Sequence, residues 1–281
     1  MRAAAAVAVA GGIALAVSAV TPVAWAGQAD EIVVEACTEA SPAVEAADKA
    51  IVAAANAHFN SGGPAATAPD LAGVEAVLRR HADRHRAELC GDVIRVNSGD
   101  LQDGLLIQAE MVGTVSKSTA SRHAVDVTPS YLIMAAQLAG FGAADRKDYA
   151  TAFHWLDQGL RIAPNNPYLA AEAANALTFL HRNQEALDLI ERVLPALPDS
   201  DDQKVWRATF LRRKGFALGE LGRWREARDA YQRSLALAPG NKIALNELAY
   251  IAAQEKGAAP TSASQTVVDV AHPQEGPPRP K

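Results

Sequence analysis

The sequence predicts an all-α fold of repeated helix-turn-helix hairpins, and three observations carry that prediction. The chain is 49% hydrophobic but only 5% aromatic. Much of its apolar fraction is alanine, the best helix former, while strand-forming β-branched and aromatic residues are scarce over most of the length. Two segments recur at a fixed distance, since Ala152 to Ala186 and Pro164 to Pro198 both span 34 residues. A third copy ends at Pro239, 41 residues after Pro198, which is one period plus an insertion of 7. Periods of this length mark stacked supersecondary units. A length of 281 residues leaves room for one large domain or two modest ones.

Residues 1–26 read as an export signal to be set aside from the fold. Met1-Arg2 is a short positive start, residues 3–20 are uncharged and rich in Ala, Val, Gly and Leu, and Thr21-Pro22 breaks the run. Ala24-Trp25-Ala26 then offers small residues at the two positions a signal peptidase reads, so that Gly27 would begin the mature chain. The competing reading is an uncleaved anchor, because about 18 apolar residues just span a bilayer. The run is weakly hydrophobic, however, and the cleavage motif follows it directly. The expected location is the periplasm or the secreted fraction, with no membrane attachment after cleavage. Removing the signal takes only Arg2 among the charged residues and leaves 26 Lys+Arg against 32 Asp+Glu. That balance is ordinary for a soluble protein and argues against nucleic-acid binding.

Residues 27–127 form an N-terminal, mainly helical region. Pro42 to Phe59 is Ala-rich with Ser41 as N-cap and Pro42 in the first turn. A loop is expected over Ser61-Gly62-Gly63-Pro64 to Pro69. Asp70 to Leu89 carries Leu71, Val74, Val77 and Leu78 at helical spacing. The Asp-Val-Ile-Arg-Val run at 92–96 fits a short strand or an extended turn. Another helix is expected after Asp100, with Leu101, Leu105, Ile107, Met111 and Val112 as its apolar set. Cys37 and Cys90 are the only cysteines, and an oxidising compartment favours joining them. Two buried thiols or a partial metal site are the alternatives. There is no C-x-x-C spacing that would mark a redox motif. Beyond the repeats, residues 257–281 are rich in Pro, Gly, Ser and Thr and read as a disordered tail.

The repeat domain, 128–256, is the most specific part of the chain. Ala152, Ala186 and Ala227 are each followed four residues later by a larger side chain, Leu156, Ile190 and Tyr231. Small residues Gly140, Ala174 and Gly215 precede them at the same 34- and 41-residue steps. Pro164, Pro198 and Pro239 close the copies, because proline cannot continue a helix. These features resemble tetratricopeptide repeats over about 125 of the 255 residues that follow Ala26. The likeness implies pairs of antiparallel helices, crossing closely at the small residues and stacked into a superhelix. Ala143, Lys214, Gly159 and Val193 depart from the family pattern. Asn241 to Glu255 looks like the first helix of a fourth copy, covering the end of the stack.

The resemblance also implies a function: binding another protein or peptide on the concave face lined by the first helices. Registered on this chain, it places Gln137, Phe141, Tyr168, Asn175, Phe179, Arg212, Phe216, Asn246 and Tyr250 toward that face. Aromatic rings would grip apolar side chains, amides would hold backbone, and Arg212 would pair carboxylates. Inter-repeat core is the alternative for some of these aromatics. Residues 201–256 hold 11 Lys+Arg against 7 Asp+Glu, which fits either an acidic partner segment or a solvated helix face.

A noncatalytic scaffold without cofactor is therefore the leading expectation. The alternative is a metal-binding or hydrolytic envelope protein with its site in residues 27–127 and repeats used for recruitment. His81 and His85 stand one helical turn apart and could share a metal. They lack the glutamate that zinc peptidases place after the first histidine, and Arg80 and Arg84 beside them disfavour a dication. His154 beside Trp155 reads as packing. No G-x-S-x-G motif and no phosphate-cradling glycine loop is present.

Overall fold

The computed structural model describes residues 7–9, 13–15, 34–38, 40–98 and 124–255. Apart from two short strands, the expected export signal lies outside the described residues, as do the helix expected after Asp100 and the tail expected over 257–281. The chain divides into two compact units, Met1–Leu169 and Ala170–Lys281.

Among the described residues, the first unit holds two small sheets and four α-helices. Strands β1 (Val7–Val9) and β2 (Ile13–Leu15) pair antiparallel. A separate four-stranded sheet runs β3 (Val34–Ala36), β4 (Ala87–Cys90), β5 (Val93–Ser98), β6 (Ala124–Pro129) in that order. The outer pairs are parallel and the central pair antiparallel. Gly91, at φ 64°, makes the tight turn between β4 and β5, a conformation glycine adopts without steric cost. Val34, Ala87, Ile94 and Val96 form the buried face, with Leu89, Val125 and Val127 against it. The 92–96 run is thus strand, the first of the two readings it allowed, and it sets a small sheet beside the helices of the N-terminal region.

Helix α1 spans Pro42–Thr67, with the Ser41 side chain accepting from the Val44 amide at 3.4 Å. It continues through the stretch expected as a loop, kinking at Gly63, where φ is 70°. Helix α2, Leu71–Arg80, buries the expected set Leu71, Val74, Val77 and Leu78. It stops at Arg80, nine residues before the expected end at Leu89, because the chain turns there to feed β4.

Helices α3 (Tyr131–Asp145) and α4 (Tyr149–Ile162) form the first hairpin. An added Cβ at Gly140 would meet Leu156 at 2.6 Å. The helices therefore approach as closely as glycine allows, at the residue the period singled out. The N-terminal helices cover the outside of α3. A Cβ at Gly142 would collide with the Leu71 side chain, the Phe59 and Phe141 rings stack at 5.8 Å, and Gln158 Nε2 donates to the Leu78 carbonyl at 2.8 Å. This packing holds the first hairpin within the compact unit of residues 1–169.

In the second unit, α5 (Pro167–Phe179, entering from the first unit) pairs with α6 (Asn183–Ala196), and α7 (Lys204–Glu220) with α8 (Trp224–Leu237). Helix α9, Lys242–Gln254, follows, capped by the Asn241 side chain on the Ala244 amide at 3.1 Å. A 3-10 turn at Asp201–Gln203 occupies the expected insertion. Ala174 and Ile190 are fully buried, and a Cβ at Gly215 would meet the Tyr231 ring at 2.7 Å. Ser234 Oγ donates to the Ala208 carbonyl at 2.8 Å, tying α8 to α7. Each second helix ends two residues before its proline, at Ile162, Ala196 and Leu237. The departures from the family pattern are accommodated: Lys214 reaches Glu191 at 2.7 Å, and Gly159 leaves the space that Leu169 and Ala136 fill. No described helix is long and apolar enough to cross a membrane.

Candidate functional site

The hairpin register sets which residues of the first helices remain accessible. Positions facing the second helix are sealed, as at Leu211 and Leu218 in α7 and Ala170 and Leu177 in α5. One turn around, the expected binding residues keep solvent access. In the second unit Asn175, Phe179, Arg212, Phe216 and Tyr250 are half-buried and Asn246 is exposed. Arg212 donates to Thr209 Oγ1 at 3.1 Å, one turn back on α7. Tyr250 meets Trp224 edge-on at 6.2 Å. A charged feature missed from the sequence joins the same helices: Arg213 Nη2 of α7 donates to Glu172 Oε1 of α5 at 3.1 Å. Its signal was the 41-residue spacing between the two residues, the repeat step itself.

In the first unit Gln137, Phe141 and Tyr168 are also half-buried. Phe141 is stacked on Phe59, their planes 8° from parallel. This stacking joins α1 to α3 and covers one face of the Phe141 ring.

The polar residues of the N-terminal region converge on Asp48 of α1. Arg80 and His81 both reach this carboxylate, His81 Nε2 at 2.9 Å. Burial pushes the Asp48 carboxyl up, but the hydrogen bonds from Arg80 and His81 bring it below the usual value. Tyr131 OH lies 3.0 Å from His81 Nε2, and burial raises the phenol well above its usual range. Arg84 Nη2 approaches His81 Nδ1 at 3.3 Å. A guanidinium only donates, so Nδ1 accepts and the ring proton sits on Nε2. Both ring nitrogens are thus engaged within the protein. The helical argument for a shared His81/His85 metal also fails, because α2 ends at Arg80 and His85 lies in the following segment. His85 instead donates its backbone amide to Glu88 Oε1 at 3.1 Å, and its carbonyl accepts from Asn97 Nδ2 at 2.7 Å.

Cys37 and Cys90 are joined in a disulfide, across a sequence separation of 53, beside the paired strands β3 and β4. Among the described residues, Glu88 and these two sulfurs form the one group spaced for a metal ion. The disulfide takes both sulfurs out of that set, and Glu88 Oε1 accepts from Thr38 at 2.6 Å.

Comparison with known proteins fits the helical part. The family model described as Tetratricopeptide repeat matches residues 208–241, from the middle of α7 through α8. Protein STIP1 homolog of Dictyostelium discoideum is 30% identical over 103 residues, 37% of this chain and 17% of that protein. The chain therefore spans less than a fifth of the length of this curated relative. The first TPR domain of human RPAP3 is 22% identical, covering 49% of this chain and 98% of the domain, with a TM-score of 0.40. The first TPR of Spaghetti (RPAP3), solved bound to the HSP90 peptide SRMEEVD, is 23% identical over 46% of this chain and 97% of that one, with a TM-score of 0.41. Residues 208–241 thus carry a tetratricopeptide repeat, and the close crossing and closing proline of that hairpin recur in the hairpin that crosses at Gly140.

Proposed function

We propose that the chain is an exported, noncatalytic scaffold that binds a protein or peptide on the face made by the first helices α5, α7 and α9. One observation carries this reading. In these helices the side chains facing the second helices are sealed, while Asn175, Phe179, Arg212, Phe216, Asn246 and Tyr250 keep solvent access. Aromatic rings interleaved with amides and a guanidinium suit an extended segment: rings take apolar side chains, amides take backbone, and arginine takes carboxylates. The N-terminal charged segment, apolar run and Ala24-Trp25-Ala26 motif support export. Among the described residues, the engagement of His81 with Asp48, Arg84 and Tyr131 takes away the His81/His85 pair on which the metal alternative rested.

One preparation tests both halves. Protein expressed from the full chain and recovered from the cell envelope is expected to begin at Gly27. Used as bait on envelope extract, it should retain a partner that is lost on Arg212→Glu with Phe216→Ala, while the circular dichroism spectrum and thermal midpoint stay within error. Retained binding by a folded double variant would remove this face as the site, and an intact Met1 would remove the export reading.

A further inference from the structure

Glu88 has no part in the repeat face, and the disulfide beside it does not account for its surroundings. Strands β3 and β4 run parallel with Ala36 opposite Leu89, so the next pair in register is Cys37 and Cys90. Side chains alternate across a strand, which puts Glu88 on the face of β4 that carries Cys90. Its side chain is fully buried. One oxygen is satisfied: Oε1 accepts from Thr38 Oγ1 at 2.6 Å and from the His85 amide at 3.1 Å. The other, Oε2, accepts no hydrogen bond from the protein, and Arg84 Nε, itself without a hydrogen bond, stands 3.7 Å away. A buried carboxylate oxygen without a donor is costly. A disulfide offers no N–H or O–H, so the two sulfurs do nothing for that oxygen while they are bonded to each other.

Separated, the same sulfurs complete a set of metal ligands. Both of them and a Glu88 carboxylate oxygen lie within 4.8 Å of one another. Zn2+ takes thiolate sulfur at about 2.3 Å and carboxylate oxygen at about 2.0–2.2 Å in tetrahedral geometry, which sets the ligand atoms roughly 3.6–3.8 Å apart. The site therefore needs rotation of two cysteine side chains and no further residue. Two thiolates, a carboxylate and a dication leave a single negative charge, which the buried Arg84 guanidinium offsets. Thr38 and the His85 amide hold the carboxylate in place, as the supporting partners of metal ligands do. Water takes the fourth position, reached past the half-buried cysteines. We propose that Cys37, Cys90 and Glu88 form a redox-gated site for a zinc-like divalent ion, closed by the disulfide and opened by its reduction. A dithiol reductant supplies the two electrons and leaves as its own disulfide, giving two protein thiols; the ion then displaces both thiol protons. Oxidation reverses these steps and expels the ion. Sulfur ligands favour zinc over magnesium or calcium. The site is independent of the repeat face, so either reading stands if the other fails.

The test compares the full chain oxidised and reduced with a phosphine, which adds no competing thiol. The reduced chain should bind one Co2+ with a thiolate-to-cobalt charge-transfer band, and one Zn2+ should displace it. The oxidised chain should do neither. Glu88→Gln should weaken Zn2+ binding by the reduced chain at least ~10-fold. X-ray absorption of the reduced, zinc-loaded wild type should report two sulfur and two lighter ligands, which tests the site even where Glu88→Gln does not fold. The proposal is overturned by the absence of a charge-transfer band in the reduced chain, or by equal metal binding in the oxidised one. Unchanged affinity in a folded Glu88→Gln variant overturns it as well. So do four sulfur ligands, which would place the ion between two copies of the chain.

Discussion

Replacing Glu247 with glutamine is expected to stabilise the α7–α9 end of the second unit above neutral pH and to leave it unchanged below about pH 4.5. Glu247 is 7% exposed. Burial raises its pKa from 4.5 to about 7, and the nearby charge of Glu220 adds to the shift. Arg212 of α7 and Tyr231 of α8 belong to the same charge neighbourhood. Burial pushes the Tyr231 phenol well above its usual value, with Glu247 and Glu220 adding to the effect, so tyrosine does not titrate in this window. With a folded pKa above the unfolded one, the native state holds a proton that the unfolded chain has released. The stability this gives is fully present below the unfolded value of 4.5 and is lost as pH rises through about 7. The gap between the two values sets the scale at about 3 kcal/mol, an upper bound, because local opening lets water reach the ionised carboxylate. The assay is urea denaturation of wild type and Glu247→Gln from pH 4 to pH 9, compared at each pH. Curves that converge at low pH and separate by up to that amount at pH 8 support the argument. Parallel curves across the range would refute the burial of a lone carboxyl between α7 and α9.

Two further perturbations test the packing and the cross-link. Gly215→Ala should destabilise by about 1–2 kcal/mol, since the added methyl collides with the Tyr231 ring at 2.7 Å and overpacking outweighs the gain in helix propensity. Gly219→Ala, one turn later, meets Trp224 only at 3.6 Å and should stabilise by about 0.5–1 kcal/mol. Thermal melts showing both changes stabilising would sink the close-crossing account of the third hairpin. Cys37→Ser with Cys90→Ser should cost up to about 4 kcal/mol in the first unit for a closed loop of this length. The α7/α8 hairpin should keep its hydrogen-exchange protection in that variant. Two titratable thiols in the unreduced wild type would remove the cross-link from the account.

The sequence by itself determined the repeats, because the constraint that makes them is local and recurs. Two helices cross closely only where one carries a minimal side chain, so Gly140, Ala174 and Gly215 must recur at the repeat step, and a proline must stop each second helix. The helix cap at Ser41 was legible for the same reason, a polar side chain reaching an amide three residues on. Only the tertiary structure decided the sheet. Its strands are three to six residues long, and Val34 finds Ala87 and Val93 finds Ala124 across long intervening segments. No short-range pattern records such pairings. Likewise, α2 stops at Arg80 without proline or glycine, and α1 passes through Gly62-Gly63-Pro64, because neighbouring helices and the sheet supply what propensity does not. Asp48, Arg80, His81 and Tyr131 converge from three places in the chain, and Phe141 is claimed by Phe59. In each case long-range burial chose between alternatives that were locally equivalent.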